Sequence, residues 1–451
     1  MLNTLIALSL LLPAQGDAGP FHFSGPAAQY LAPGAAVAPV TKGLPFSIVL
    51  SEQGAKVGSS EFVLKGTDWK GSADLKLTDL KFTDGTLRGV ASLANKAGQS
   101  LQGLRLDMVS AIEEYRGKDE KGQEKLFTRA QEYKFDSPLL FGDLLPGEGQ
   151  GEIEFTVSGL KFSPETTTIT LSGVLSGLRH VGAWVPEDGY VPGSLEFAPD
   201  GTLYITHYET GEITKLDTAR KGKALYDIGS QPTGLARHPS TGDLYSTAIS
   251  SKIVKVHGSD GKLKREFGEN VFENFVNRIR FDRQGRLYVS EEFGGIRRLN
   301  GEKLDRKIMK IAGDDVDSRD FDLDGKGVLW IVSETGFYRI DESDQGKKIA
   351  SVGSWKLGGV QAPTAVRASP EGLIYVGEDE SQEGAGNDRI VVFDGQGRFV
   401  RVFGRAGKGK KQEGWHPGQV KSVSVIGFAP DGTIHISQGA ENGGVQMYKG
   451  F

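Results

Sequence analysis

Residues Phe197–His207 read FAPDGTLYITH, in which an apolar residue is followed by a polar turn closing on Gly201 and then by a short β-branched and aromatic run. The same pattern returns further along the chain, beginning at the following residues: Ala236, Phe281, Phe321, Ala368 and Phe428. Its spacing of about 42 residues is typical of one blade of a β-propeller. One such sheet cannot bury both of its faces alone, so the sequence predicts a ring of six sheets.

Composition agrees with an all-β protein of more than one domain. The chain has 451 residues, too many for a single core, with 63 Gly and only four Met. Lys and Arg number 53 against 58 Asp and Glu, a net charge of −5, which excludes a general electrostatic attraction to nucleic acid or to an anionic membrane. The absence of Cys excludes disulfides, thiolate metal sites and a Cys nucleophile.

The N-terminus has the pattern of a targeting segment. Residues 1–18 read MLNTLIALSLLLPAQGDA, an apolar run followed by the small residues Ala14, Gly16 and Ala18. The run is too short to span a bilayer, so it predicts a secretory signal peptide and an exported protein, in the periplasm, at the cell surface or outside the cell. A buried N-terminal strand is the alternative. No later stretch predicts a membrane span.

Two regions precede the repeats. Residues 19–43 are rich in Ala, Pro and Gly and predict a linker or edge segment. Residues 44–178 alternate with period two between turn signals and predict an antiparallel β-sandwich of about seven strands. The stretches ASLANKAGQSLQGLRLDM (91–108) and LLPGEGQGEIEFTV (144–157) resemble bacterial immunoglobulin-like modules, which implies a spacer or adhesion unit. The charged segment Arg116–Lys134 predicts a solvated hairpin or a short helix.

Residues 179–451 hold the repeats. Within them, Asn387–Gly404 reads NDRIVVFDGQGRFVRVFG, with Asn-x-Arg-Ile opening one strand and a Phe-Asp-x-x-Gly turn leading to the next. This segment resembles the NHL repeat, which implies an NHL-like six-bladed β-propeller. The last unit stops at VQMYKGF with no room for a fourth strand. Because an unpaired edge would leave the ring open, Arg179–Val185 (RHVGAWV) is expected to supply the missing strand.

A ligand site is expected at one face of the ring. Strand direction alternates within a unit, so the starts of first strands and the ends of second strands meet at the face where propellers bind ligands. This rule predicts a binding mouth made of the following residues: His207, Arg278, Glu291, Glu292, Arg319, Glu334, Glu378 and Asp379.

Three of these carboxylates come from consecutive units. Glu291, Glu334 and Glu378 suit a hard cation such as Ca²⁺, the one cofactor that the sequence suggests. Alternatively they bind a cationic or sugar-like ligand that Arg278 and Arg319 orient, or they form ion pairs with those two arginines. All three alternatives stay open at this point.

Two further motifs have simpler explanations. DFDLDG (Asp320–Gly325) begins like a Ca²⁺-binding loop, but Ile331 occupies the twelfth position where a bidentate Glu is needed. The repeat places this motif at the turn between first and second strands. The basic stretch Arg398–Lys411 predicts a solvated loop rather than a nucleic-acid contact, since the chain as a whole is acidic.

The sequence favours an exported binding protein of the cell envelope, with a small molecule or a protein as its partner at the mouth. The ring is also similar in general plan to gluconolactonase and regucalcin-type propellers, which implies a metal-dependent hydrolase of lactones or sugars, with the three glutamates as ligands and His207 as base. Ser194, however, stands where those enzymes carry a Glu-Gly pair. The third alternative is a structural subunit of an envelope assembly, in which the sandwich makes the contacts.

Overall fold

The computed structural model describes residues 36, 38, 43–51, 54–59, 61–66, 69–131, 135, 139–144, 149–161, 163–186, 192–229, 231–311, 313–341, 346–351, 358–378, 389–406, 419–420, 422–438 and 444–450. Within these ranges, side chains are described except at 51, 54–73, 108–109, 142, 150–152, 405–406 and 419. No helix in the described part of the chain is long and apolar enough to cross a membrane. Of the predicted signal peptide and linker, only residues 36, 38 and 43 are among those described.

Two antiparallel sheets form the N-terminal part. Their strands are β1 Leu44–Ser51, β2 Gly54–Ser59, β3 Glu61–Gly66, β4 Trp69–Thr83, β5 Thr86–Asn95, β6 Leu101–Lys118, β7 Glu124–Gln131, β8 Leu139–Leu144, β9 Gly149–Val157 and β10 Thr166–Trp184. One sheet has the order β3-β4-β5-β9; in the other, β10 lies between β1 and β6, and β6 also pairs with β7 and β8. Apolar side chains of both sheets share one core, including Ile48, Leu75, Leu93, Phe155 and Leu171. The immunoglobulin-like classification stays a prediction.

The charged segment after β6 is a β-hairpin over its described part. Lys118 pairs with Glu124 across a turn in which Asp119 Oδ1 accepts the amide hydrogens of Lys121 and Gln123, both over 2.9 Å. The predicted hairpin is therefore confirmed, and the short-helix alternative is wrong. The sequence did not separate the two, because charged residues predominate in the segment and its few apolar residues follow no clear period.

Short antiparallel sheets make up the rest of the chain. Their strands are β11 Pro192–Phe197, β12 Leu203–His207, β13 Glu212–Leu216, β14 Gly222–Asp227, β15 Pro232–Arg237, β16 Leu244–Ala248, β17 Val254–His257, β18 Leu263–Phe267, β19 Val276–Phe281, β20 Leu287–Glu291, β21 Gly295–Asn300, β22 Lys303–Ile308, β23 Lys310–Ile311, β24 Asp314–Asp315, β25 Ser318–Leu323, β26 Leu329–Ser333, β27 Gly336–Ile340, β28 Gly346–Ser351, β29 Pro363–Ala368, β30 Leu373–Glu378, β31 Ile390–Asp394, β32 Phe399–Phe403, β33 Arg405–Ala406, β34 Gln419–Val420, β35 Val423–Phe428, β36 Ile434–Gln438 and β37 Val445–Gly450.

These strands form consecutive units arranged in a ring. Five units are four-stranded sheets, β11–β14, β15–β18, β19–β22, β25–β28 and β29–β32, and β35–β37 begin a further unit. The first strand of each unit contacts the first strand of the next, and β35 contacts β11, which closes the circle. The arrangement is propeller-type, and the predicted all-β fold is confirmed.

The repeated polar turn sets the geometry between first and second strands. In the first unit, Ala198 O accepts the amide hydrogen of Gly201 over 3.0 Å, while Asp200 Oδ1 accepts that of Thr202 over 2.9 Å. Gly201 has a φ of 86°, in the left-handed region that glycine enters without steric cost. Glycines at the matching turns have similar φ values, namely Gly242, Gly285, Gly327, Gly372 and Gly432.

The large residue of each second strand packs between neighbouring units. The rings of Tyr245 and Phe281 lie 4.8 Å apart, and those of Tyr375 and Phe428 lie 5.1 Å apart, each pair joining one unit to the next. His435 occupies the same position in the last unit, with its ring 4.9 Å from that of Phe197 in the first. The recurring aromatic residue therefore fills the interface that a single unit could not bury.

Strand β10 joins the two parts of the molecule. Its first half pairs with β1 and β6, and its last residues pair with β37, with Arg179 opposite Lys449 and Trp184 opposite Val445. The prediction that Arg179–Val185 completes the last unit is confirmed. The predicted domain boundary between residues 178 and 179 falls inside this continuous strand.

Polar contacts tie β32 of the ring to the sandwich. Asp143 accepts the amide hydrogens of Gly103 and Gly404, over 2.7 and 2.9 Å. Arg105 Nη1 donates to Val400 O over 2.5 Å, and Arg401 Nη2 donates to Ser176 Oγ over 3.1 Å. Arg401 belongs to the basic stretch that was predicted to be a solvated loop, but its side chain is buried between the ring and the sandwich. Residues 407–411 of that stretch lie outside the described residues.

Candidate functional site

Glu291, at the end of β20, is fully buried in an ion pair. Its Oε2 accepts a hydrogen bond from Nε of Arg297 on the adjacent β21. Its Oε1 accepts the amide hydrogens of Glu273 and Asn274, over 2.6 and 3.1 Å. One carboxylate thus fixes the loop that leads into β19, and both of its oxygens are engaged.

Glu378, at the end of β30, has the same surroundings. Its Oε2 lies 2.6 Å from Nε of Arg389, and both side chains are 1% exposed. Its Oε1 accepts the amide hydrogen of Gln361 over 2.6 Å, in the loop leading into β29. Arg389 is the arginine of the NHL-like Asn-x-Arg-Ile segment, so this part of the signature serves an ion pair.

Glu334 differs from the other two predicted metal ligands. Its side chain is 66% exposed and lies 3.1 Å from Nη2 of Arg319, which is also exposed. The ion-pair alternative therefore holds for Arg319 with Glu334, while Glu291 and Glu378 use arginines that the sequence did not suggest. Among the described residues, no group of three or more carboxylates and histidines is arranged to hold a metal ion. The Ca²⁺ assignment stays a prediction.

Of the other predicted residues, His207 and Glu292 lie near the ends of second strands. His207 ends β12 opposite Pro192 and is buried. Glu292 is half-buried, and its amide donates to Phe275 O over 2.8 Å. Asp379 lies outside the described residues.

Arg278 points toward the centre of the ring. Its Nη1 donates to Gly193 O over 3.1 Å and to Thr233 O over 2.5 Å, which reaches the first strands of two other units. Its Nε lies 3.8 Å from Asp320 Oδ1. Arg278, which the sequence predicted to orient a ligand, therefore connects its own first strand β19 to β11 and β15.

Arg278 belongs to a larger set of charged side chains from four first strands. We call this set the central network: Glu196, Arg278, Arg280, Asp320, Asp322 and Arg367. Arg280 Nη2 lies 3.2 Å from Asp320 Oδ1, and Arg367 Nη1 lies 3.3 Å from Asp322 Oδ1. Arg367 also donates to Leu195 O and Ile426 O, over 3.3 and 3.0 Å.

Burial and neighbouring charges act in opposite directions on the arginines of the central network. Burial lowers the pKa of Arg280 to about 10, so the guanidinium stays protonated at neutral pH. Burial also acts to lower the pKa of Arg367, but Asp322, Glu196 and Asp320 outweigh it and raise that pKa. Burial raises the pKa of Glu196. Three guanidinium groups thus face three carboxylates, a buried network in which each charge has a partner.

The sequence analysis did not find the central network. Its members follow one rule, because each lies on the first strand of a unit, alternating with apolar neighbours such as Ile279 and Phe321. Charged residues at alternate positions of an otherwise apolar first strand were the signal that could have indicated the network. Asp320 and Asp322 of DFDLDG belong to it, while Asp324 accepts the amide hydrogens of Lys326 and Val328 in the turn. The motif, predicted as the turn between first and second strands, thus covers the end of β25 and only the start of that turn.

Large apolar side chains are exposed in loops of the face that the sequence singled out. We call them the apolar arc: Tyr208, Ile249, Phe275, Phe293 and Met309. Each lies in a loop at the end of a second or fourth strand, or just before a first strand, and such loops meet at one face of the ring. Phe293 is the most exposed, at 77%. The sequence analysis missed this set, because the same loops also hold apolar residues that are buried, such as Phe272 and Val316.

Backbone hydrogen bonds connect the loops that carry Ile249, Phe275 and Phe293. Ser251 O, in the turn that contains Ile249, accepts the amide hydrogen of Val276, which follows Phe275. Phe275 O accepts the amide hydrogen of Glu292, which precedes Phe293. Met309 packs against Gly295, because a Cβ built on that glycine would lie 3.1 Å from Met309 Sδ. The loops that carry Ile249, Phe275, Phe293 and Met309 thus follow one another from the second unit to the end of the third.

Comparison with known proteins gives fold-level similarity. No family model matches the sequence, and no curated protein matches it. Solved structures similar to the chain are propeller-type. One is a streptogramin B lyase, at 14% identity and a TM-score of 0.42 over 61% of this chain and 98% of that one. Another is a gluconolactonase from Xanthomonas campestris, at 13% identity and 0.44 over 60% and 89%. A third, a protein of unknown function from Bacteroides thetaiotaomicron, has 9% identity and 0.48 over 84% and 98%. Similarity of this kind transfers no substrate, because propellers carry unrelated activities.

Proposed function

We propose that this chain is an exported binding protein of the cell envelope. Its ring is a six-bladed NHL-like propeller held on an immunoglobulin-like spacer, and the apolar arc takes up a protein partner. The observation that carries the proposal is the arc itself, since large apolar side chains exposed on connected loops of one face mark an interaction site. The strand pairing of β10 with β37 and the NHL-like Glu378–Arg389 pair support the architecture.

The polar groups on the same face support binding over hydrolysis. A metal-dependent hydrolase needs carboxylates that turn toward a cation and leave a position open for water. Glu291 and Glu378 instead hold buried arginines and backbone amides. Glu291 thereby fixes the loop that carries Phe275, and Glu378 fixes the loop before β29, so both have a positioning role.

Site-specific photo-crosslinking in the producing organism tests the proposal. A photoreactive phenylalanine analogue at position 293 is expected to give a discrete crosslinked product with a second protein. The same analogue at Leu304, an exposed position at the start of β22 on the opposite face, serves as control. Equal products at both positions, or none at 293, would overturn the proposed site. N-terminal sequencing of the protein from fractionated cells tests export, with a mature start near residue 19 expected.

A specific observation favours a second function, that of a structural subunit. The hairpin of β6 and β7 exposes Ile112 and Leu126, and β7 pairs within the described residues with β6 alone. An exposed edge with apolar side chains is a surface that another sheet can join. Crosslinks from position 126 rather than 293 would support this alternative.

A further inference from the structure

Acidic side chains surround the apolar arc. In and beside the loops at this face, the exposed carboxylates are Glu209, Asp227, Glu269, Glu273, Asp315 and Glu334, and Glu292, Asp314 and Asp317 are partly exposed. The cations there include Lys252, Lys307, Lys310, Arg319 and Lys348. Four of them are paired with carboxylates of this set: Lys307 with Glu273, Lys310 with Asp315, Arg319 with Glu334 and Lys348 with Asp314. The face therefore combines exposed apolar side chains with an excess of negative charge.

We propose that the apolar arc accepts a cationic, amphipathic polypeptide segment. This inference rests on the proposed function and adds the chemistry of the partner. Apolar side chains of the segment pack against Phe275, Phe293 and Met309, while its Lys and Arg side chains contact the surrounding carboxylates. A helix with one apolar and one basic face fits such a surface, because its two faces match the two kinds of side chain displayed.

Phe293 is the anchor of this surface. Its φ of 56° lies in the left-handed region, which a bulky residue enters only where its surroundings fix the backbone. The surroundings here are the amide of Glu292, bonded to Phe275 O, and the amide of Gly294, bonded to Glu291 O over 3.1 Å. The buried pair of Glu291 with Arg297 holds that turn from below. The ring of Phe293 is thus displayed on a fixed support, which reduces the entropy lost on binding.

The surrounding charge decides between partners of similar apolar content. Carboxylates around an apolar centre attract a basic segment and repel an acidic one, and salt screens both effects at exposed positions. We therefore expect binding that depends on the sign of the ligand's charge and weakens with ionic strength.

Binding of designed peptides to the full-length protein tests this inference. The probe is a fluorescent 18-residue amphipathic helix of Leu and Lys, and the matched control replaces every Lys with Glu. By fluorescence anisotropy we expect the Leu/Lys peptide to bind at least tenfold more tightly than the Leu/Glu peptide, and the difference to shrink at 0.5 M NaCl.

Protein variants locate the binding surface. Phe293→Asn removes the ring while keeping a residue that tolerates the left-handed region, and we expect at least tenfold weaker binding of the Leu/Lys peptide. Leu304→Ser, on the opposite face, is expected to bind as the parent does. Glu209→Gln combined with Glu269→Gln is expected to weaken binding severalfold at low salt only. Thermal melting confirms that each variant is folded.

The outcomes separate this inference from the proposed function. Equal binding of the two peptides, or equal binding by the Phe293→Asn and Leu304→Ser variants, overturns the inference. If crosslinking at position 293 still yields a partner, the proposed function stands and only the partner's cationic chemistry is wrong. If crosslinking at 293 also fails, both are wrong.

Discussion

Trp184 Nε1 donates a hydrogen bond to His435 Nδ1 over 3.3 Å, which joins the end of the long strand β10 to the last unit of the ring. The imidazole also lies against Phe197 of the first unit. His435 thus stands where the circle closes, in the position that Tyr or Trp occupies elsewhere. Because this nitrogen accepts a hydrogen bond, the contact needs a neutral imidazole.

Ring closure is expected to weaken in acid. Burial lowers the pKa of His435 from 6.5 to about 3, so between these values the unfolded chain binds a proton that the folded chain does not. The stabilisation is complete above pH 6.5, and it is lost by about 1.4 kcal/mol per pH unit as the pH falls toward 3. Urea denaturation at pH 7, 6, 5 and 4 measures this slope. The His435→Gln variant should show a shallower slope, and identical slopes for variant and parent would contradict the assignment.

Two carboxylates at matching strand ends should differ in their effect on stability. Glu378→Gln leaves the buried Arg389 without its charge partner, and we expect a loss of about 3–5 kcal/mol in the free energy of unfolding. Glu334→Gln removes an exposed pair, for which about 0–1 kcal/mol is expected. Urea denaturation of both variants at pH 7 gives the comparison. Equal losses would show that burial of the pair does not decide its contribution.

Chelation is expected to leave the stability of the protein unchanged. Glu291 and Glu378 are each engaged by an arginine and by backbone amides, so their oxygens are not turned toward a shared cation. Melting curves with and without EDTA, together with elemental analysis of the purified protein, measure this. One Ca²⁺ per chain and a lower melting temperature in EDTA would restore the predicted site at Glu291, Glu334 and Glu378. Glu334→Gln would then reduce the calcium content.

The end of β10 should be needed for a stable ring. A chain starting at residue 177 retains the pairing of Arg179 with Lys449 and of Trp184 with Val445, and a chain starting at residue 186 does not. Both lack the sandwich, so they differ only in this strand. We expect the longer chain to melt at a temperature higher by roughly 5 °C or more. Equal melting temperatures would mean that β37 does not depend on its partner.

The sequence by itself determined the repeating parts of this protein. The turn glycines, the aspartates that bond turn amides, and the large residue of each second strand act within one unit or between neighbours, so each copy carries its own signal. The missing strand could be predicted as well, because an unpaired edge in the last unit demanded a donor and Arg179–Val185 lay directly before the first unit.

Tertiary structure decided which charges meet. Glu291 and Glu378 lie at the strand ends where the sequence placed them. Their partners are Arg297 on β21 and Arg389 directly before β31, and the repeat pattern did not indicate that these arginines turn toward the glutamates. The central network joins first strands far apart in sequence, as when Arg367 reaches Leu195 O. Such contacts depend on closing the circle, because only then do first strands that are far apart in the sequence come within hydrogen-bonding distance.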